Sequence, residues 1–152
     1  MFIGKVNRLK KQVESANEEA LRLKSYHHKN IVRYVDNFLH SSDFGQVHIL
    51  IMEHCDGGEF RGFLEKHAGK QENTEVYIKY LSDIIEGLVE IHSRKQMHRD
   101  LKPENIFILI LGKSAIEHVL KLGDFGLMKD VDSTMMSAAT KGVGSGPYMS
   151  PE

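Results

Sequence analysis

Cysteine is nearly missing from this sequence: Cys55 is the only one in 152 residues, so no intrachain disulfide can form. That scarcity points to a reduced, intracellular and cytoplasmic setting. Zinc-type spacings are lacking as well, since nine histidines and one cysteine produce neither HExxH nor CxxC, and no zinc site is expected. Long apolar runs are absent too. The longest, Ile106 to Leu111, is far too short to span a bilayer, and the N-terminus offers only MFIG before Lys5, so no membrane association is expected. Nor is there a surplus of charge of one sign. With 20 basic against 21 acidic residues, the chain presents no polyanion-binding balance, and nucleic acid is not an expected partner. The small basic cluster of Lys5, Arg8, Lys10 and Lys11 reads as a solvated face. No internal repeat or low-complexity tract is present.

What remains is the composition of a soluble globular protein, 41% apolar and 27% charged, long enough to bury a sizeable core. FIGKV has strand character, and SANEEALRLKSY reads as a helix with a capping box in Ser15 and Glu18. NIVRYVDNFLH and VHILIMEH are β-rich runs on either side of SSDFGQ, a stretch of hairpin type. After the glycine-marked break CDGGEF, the spacing of Ile78, Leu81, Ile85, Leu88 and His92 draws one face of the longest helix. Two short apolar strands, NIFILIL and HVLKLGDF, follow around the loop GKSAIE, and then a tail rich in Ser, Thr, Gly and Met reads as a surface loop. The plan is α+β in two lobes, strand-rich up to Cys55 and mainly helical after it, with a cleft where a ligand would bind.

The stretch MHRDLKPENIF places Arg99, Asp100, Lys102, Glu104 and Asn105 on a loop between the long helix and a strand. A carboxylate at Asp100 can accept a proton from a hydroxyl or orient it. Lys102, two residues later, can neutralise charge that develops on an anionic reactant. Asn105 and the Asp124 of GDFG are hard oxygen donors suited to Mg2+. Together they point to phosphoryl transfer to a hydroxyl.

HRDLKPEN, then DFG, then SPE resembles the signature set of eukaryotic protein kinases. The resemblance covers essentially the whole chain and implies a partial two-lobe kinase fold using ATP and Mg2+ on protein substrates. It implies Asp100 as catalytic base, Lys102 as a phosphate-contacting cation, and Asn105 and Asp124 as Mg2+ ligands. It likewise implies Lys5 as the lysine on the ATP phosphates, with Glu19 as its helix partner. By the same resemblance Met52 would take the gatekeeper position, Glu53 and Cys55 would lend backbone groups to adenine, and Phe107 would pack under the ring. Leu23, Tyr34, His98 and Phe125 would stack into a hydrophobic column. A second DFG, at Asp43, Phe44 and Gly45, precedes the catalytic loop and reads as turn chemistry. Cys55 reads as a small packed apolar group rather than a reactive thiol.

LKPEN is similar to the wording of Ser/Thr kinases, and Ser145 stands where those kinases place a threonine near the catalytic Asp and Lys. MEHCDGGEF and PYMSPE are most similar to the NIMA-related kinases. By the same resemblance Arg99 would pair with an activation-loop phosphate, for which Thr140 is the expected carrier among Ser133, Thr134, Ser137 and Thr140. The pattern departs from the family at both ends: only four residues precede Lys5, without a glycine-rich loop, and the chain stops at Glu152. Ile3 stands where the family carries a small alanine, with Gly4 after it. The resemblance therefore implies a partial kinase domain, residues 1–55 belonging to the first lobe and hinge and 56–152 to the second. The alternative is a truncated pseudokinase that acts by binding.

Overall fold

The strand-forming run at the start of the chain is β1 (Phe2–Asn7), followed by α1 (Lys10–Ser25), β2 (Tyr34–Ser42) and β3 (Gly45–Glu53). The computed structural model describes residues 2–7, 10–42, 45–70, 73–131 and 145–148. The three strands form one antiparallel sheet in the order β1-β3-β2. Its register sets Lys5 opposite Leu50 and Ile3 opposite Met52, so β1 delivers its lysine beside the end of β3 that leads into Cys55. Ser42 pairs with Gly45, as a hairpin at SSDFGQ requires, while Asp43 and Phe44 lie outside the described residues.

The helix α1 starts earlier than SANE suggests. Ser15 is an exposed residue inside α1, so the expected capping box with Glu18 does not form there. The preceding KKQVE contains no glycine or proline to stop a helix, and propagation through such a run costs little once a turn exists. The Ser-x-x-Glu pattern that does close a capping box is Ser114 with Glu117, in the segment read as a plain loop.

The second half begins with β4 (Gly58–Glu59) and α2 (Phe60–His67), two elements the sequence reading did not separate. The longest helix, α3 (Thr74–Ser93), comes next, capped at its start by the Asn73 side chain accepting from the Glu75 N–H. Then follow β5 (Gln96–Met97), β6 (Ile106–Ile110), β7 (His118–Leu122) and β8 (Lys129–Asp130). β4, β6 and β7 make a second antiparallel sheet, and β5 pairs with β8. The two halves are joined through a parallel bridge between Ile31 and Leu122, with Val32 N–H donating to Leu122 O and Leu122 N–H to Asn30 O.

The face of α3 that meets the core is not the one drawn by apolar spacing. Val76, Tyr80, Asp83, Gly87 and Ile91 are buried, while Ile78, Leu81 and Ile85 are 62%, 58% and 56% exposed. Two physical reasons account for this. Asp83 is buried because its Oδ2 accepts from Leu120 N–H at 2.9 Å and from the Lys79 ammonium, which ties the helix to β7. Gly87 is buried because a Cβ there would stand 2.9 Å from Asn30 O and from Leu122, so only glycine lets α3 approach so closely. Among the described residues, no helix is long and apolar enough to cross a membrane.

Candidate active site

The loop after β5 turns sharply. Arg99 adopts φ 67°, and a short 3-10 turn, Pro103–Asn105, launches β6. This folds Asp100, Lys102 and Asn105 back on one another. Lys102 Nζ donates to Asp100 Oδ2 at 2.8 Å, and Asn105 Nδ2 donates to both the Asp100 backbone O and Oδ2 at 2.8 Å. Ser145 closes the ring, accepting from Lys102 Nζ at 2.8 Å and donating to Asp100 Oδ1 at 2.8 Å. Burial pulls the Asp100 carboxyl upward, but Lys102, Ser145 and Asn105 together outweigh it and hold the group below its ordinary 3.8. Asp100 is accordingly an anion at neutral pH. Its bond to Lys102 in turn raises the lysine's pKa.

A second cluster faces the first. Lys5 Nζ lies 2.9 and 3.0 Å from the two Glu19 oxygens and 3.1 Å from Asp124 Oδ1. Burial would lower the Lys5 pKa, and the Glu19 and then Asp124 carboxylates more than offset it, so the ammonium titrates above its usual value. Burial lifts the Glu19 carboxyl against the pull of Lys5. Asp124 takes φ 58°, a left-handed conformation tolerated better by Asp than by most residues. A cavity of about 640 Å3 brings Lys5, Glu19, Lys102, Asn105, Phe107, Asp124 and Ser145 together. Because Asn105 Nδ2 is committed to Asp100, its Oδ1 is the atom left for a cation. Asn105 and Asp124 thus offer two hard oxygens in one cavity. That fits Mg2+, which keeps several waters and takes its other ligands from substrate phosphates.

A neighbouring cavity of about 990 Å3 is lined by Ile3, Gly4, Lys5, Val32, Met52, Glu53, Cys55 and Phe107 and extends to α2. Met52 and Phe107 border both cavities. Gly123 packs so near Phe107 that a Cβ would come within 2.7 Å of the ring. The Glu53 side chain is tied up by two partners. Lys121 Nζ meets its Oε1 at 2.7 Å and Arg33 N–H donates to the same oxygen at 2.9 Å, with both ion-pair side chains largely buried. Cys55 is buried, and burial pushes its thiol up to about 11. Against an ordinary thiol at 9.0, the thiolate fraction at neutral pH falls about 100-fold. Iodoacetamide at pH 7.5 should therefore label Cys55 slowly in the native protein and rapidly in urea, and equal rates would contradict the packed-thiol reading.

Leu23, His98 and Phe125 are buried, and Tyr34 is partly buried against the same core. The His98 ring lies 5.4 Å from Phe125, and Tyr26, which the sequence reading missed, lies 5.5 Å from it on another side. Burial lowers the His98 pKa below 6.5, opposed by the Gly123 carbonyl and by Asp124 and Asp100, and seconded by Lys102. Burial also lowers His48. Both are neutral in the fold, so as pH falls below about 6.5 the unfolded chain takes up protons first. The stability they contribute is whole above that pH and is lost below it. The urea midpoint should drop between pH 7.5 and 5.5, and an unchanged midpoint would count against neutral buried imidazoles.

Ser133, Thr134, Ser137 and Thr140 lie outside the described residues. Among the described residues no cluster of three or more His, Cys, Asp or Glu side chains could hold a metal alone.

An anion ring on a tight loop, an ion-paired lysine facing it and a large apolar cavity alongside define a protein-kinase type of site. The chain matches the protein kinase domain family over residues 2–152 and belongs to it. It is 35% identical to "Serine/threonine-protein kinase Nek5" of Mus musculus over 95% of this chain and 21% of that protein. It is 36% identical to "Probable serine/threonine-protein kinase nek2" of Dictyostelium discoideum over 96% of the chain and 34% of that protein. With "Serine/threonine-protein kinase atg1" of the same organism the identity is 34%, over 93% and 20% respectively. The chain thus spans about a fifth to a third of the length of these relatives.

Proposed function

We propose that the protein transfers the γ-phosphoryl group of ATP to Ser/Thr hydroxyls of protein substrates. The observation that carries the reading is the closed set of bonds among Asp100, Lys102, Asn105 and Ser145, the last three of which line one cavity with Lys5, Glu19 and Asp124. In this reading residues 1–55 and 56–152 act as two lobes around the cleft. Asp100 orients the attacking hydroxyl and takes its proton. A carboxyl held this acidic is a weak base, which suits a loose transition state where the proton leaves late. Lys102 neutralises charge developing on the transferred group, and Ser145 keeps Lys102 and Asp100 in register. Lys5, steered by Glu19, takes the nucleotide phosphates.

Asn105 and Asp124 would hold Mg2+, which supplies charge neutralisation on the phosphates. The adenine edge meets the hinge through Glu53 C=O and Cys55 N–H, because Glu53 N–H already serves Arg33 O and Cys55 O serves Gly58 N–H. Met52 and Phe107 give the ring its apolar walls. A phosphate on Thr140 paired with Arg99 belongs to the same reading as its regulatory step. The test is to incubate the intact protein with labelled ATP, Mg2+ and a mixture of Ser-, Thr- and Tyr-containing peptides. Label on Ser and Thr is expected, and nucleotide binding without any transfer would overturn the proposal in favour of a binding module.

A further inference from the structure

Tyr26 and Arg94 supply no group to the catalytic or nucleotide cavities, yet they link the two halves directly. Arg94 follows the last residue of α3, and the chain leaves the helix through Lys95 at φ 56°. Its guanidinium reaches across to the other helix. Nη1 donates to Ser25 O, the last carbonyl of α1, at 2.7 Å, although the two residues are 69 apart in sequence. The Cζ of the same group lies over the Tyr26 ring, 4.3 Å from its centre. Nε and Nη2 are held by Glu90 Oε1 at 3.0 and 2.5 Å, which fixes the fork from behind.

Tyr26 is 2% exposed, and its side-chain contacts with Phe125, Gln96, Met128 and Arg94 all lie in the opposite half. Its ring packs on Phe125, its hydroxyl donates to Gln96 Oε1, and Met128 Sδ lies 3.8 Å from that hydroxyl. Gln96 then donates to Asp130 at 2.7 Å. A positive fork on a helix's last carbonyl complements the partial negative charge at that end, and stacking on a desolvated ring strengthens the contact.

We infer that Arg94 and Tyr26 are positioning residues, a clamp on the C-terminal end of α1 that sets where Glu19 stands relative to Lys5. Glu19 precedes Ser25 by six residues, about 9 Å along the axis, so a tilt of about 10° at the clamp carries it about 1.6 Å. That is enough to break its bonds to Lys5. The consequence is chemical as well as mechanical, since Lys5 is shared between Glu19 and Asp124. When Glu19 withdraws, the ammonium stays with Asp124 and is lost to the phosphates.

The kinetic arm of the test rests on the transferase reading above; the exchange arm does not. In the intact protein, Arg94→Ala should lower kcat about tenfold with KM for ATP changed less than about twofold, because adenine contacts are untouched. Tyr26→Phe keeps both ring contacts and should stay within about threefold of wild type, whereas Tyr26→Leu should match Arg94→Ala. The double variant Arg94→Ala/Tyr26→Leu should be no worse than the poorer single one. Independently of activity, hydrogen exchange of the α1 amides at 20–25 should accelerate about tenfold in Arg94→Ala while those at 84–91 in α3 keep their protection. If transfer is absent from wild type, the transferase reading fails and the exchange result alone decides the clamp. Unchanged exchange in α1, or equal acceleration in both helices, would overturn it. So would wild-type kcat in Arg94→Ala.

Discussion

Asp100→Asn should reduce phosphotransfer by about 10³-fold while leaving ATP affinity within about twofold. The size of the effect follows from what the carboxylate does at rest. It gathers three donors, Lys102, Ser145 and Asn105, each at 2.8 Å, and stays ionised well below neutral pH because of them. An asparagine has the same outline, so the loop keeps its shape, but its amide presents a donor to a site built from donors and offers no oxygen that can take a proton. The nucleotide contacts proposed for Lys5 and the hinge are untouched. Single-turnover transfer from labelled ATP, with nucleotide affinity measured alongside, reads both quantities. Activity within tenfold of wild type would remove Asp100 from the reaction.

Asp124→Ala should be as severe, about 10³-fold or more, while Asp43→Ala changes activity less than about twofold. The two aspartates begin identical Asp-Phe-Gly words, and their order relative to the catalytic loop already separates them. Asp124 lines the 640 Å3 cavity and binds Lys5 at 3.1 Å. Asp43 lies outside the described residues, but its chain neighbours Ser42 and Gly45 pair with each other, and Gly45 is at the far end of β3 from Glu53, about 26 Å away at the rise of a strand. Since φ 58° disfavours alanine, Asp124→Asn serves as the second variant. It keeps the backbone preference and removes the charge, and should still lose about 10²-fold. Equal losses at positions 43 and 124 in folded protein would mean that neither acts through the phosphates.

The parts of the site that were legible in the sequence share one property: their partners are close in the chain or belong to a word of fixed spacing. Asp100, Lys102 and Asn105 fall within six residues, and one tight turn brings them together. Lys5, Glu19 and Asp124 are far apart, and it was resemblance, not spacing, that placed them in one cluster. The helix face of α3 misled for a physical reason. Apolar periodicity cannot register Asp83, buried by virtue of its hydrogen bonds, or Gly87, buried by virtue of lacking a side chain. The two Ser-x-x-Glu words show the same limit from the other side. SANE and SAIE are equivalent as strings, and the one that caps is the one with no helix already running through it. Tyr26, Arg94 and Lys121 left no trace because the partners that tie them to the other half are 68 or more positions away in unrelated elements, or, for Tyr26, on several of them at once.

Glu53 and Lys121 carry a consequence for how such a chain can change over generations. Their charges meet beside the hinge in largely dry surroundings, and replacing Glu53 alone strands the Lys121 ammonium, at a cost of about 3–5 kcal/mol where the pair is buried, while replacing Lys121 alone leaves Glu53 only the Arg33 N–H and a guanidinium at 4.0 Å. A pair of apolar residues could fill the same space with little loss, yet every single-codon path toward it crosses a destabilised intermediate. The two positions are in effect one heritable character. A lineage carrying this pair is held to it by the barrier between the alternatives rather than by the merit of the pair itself.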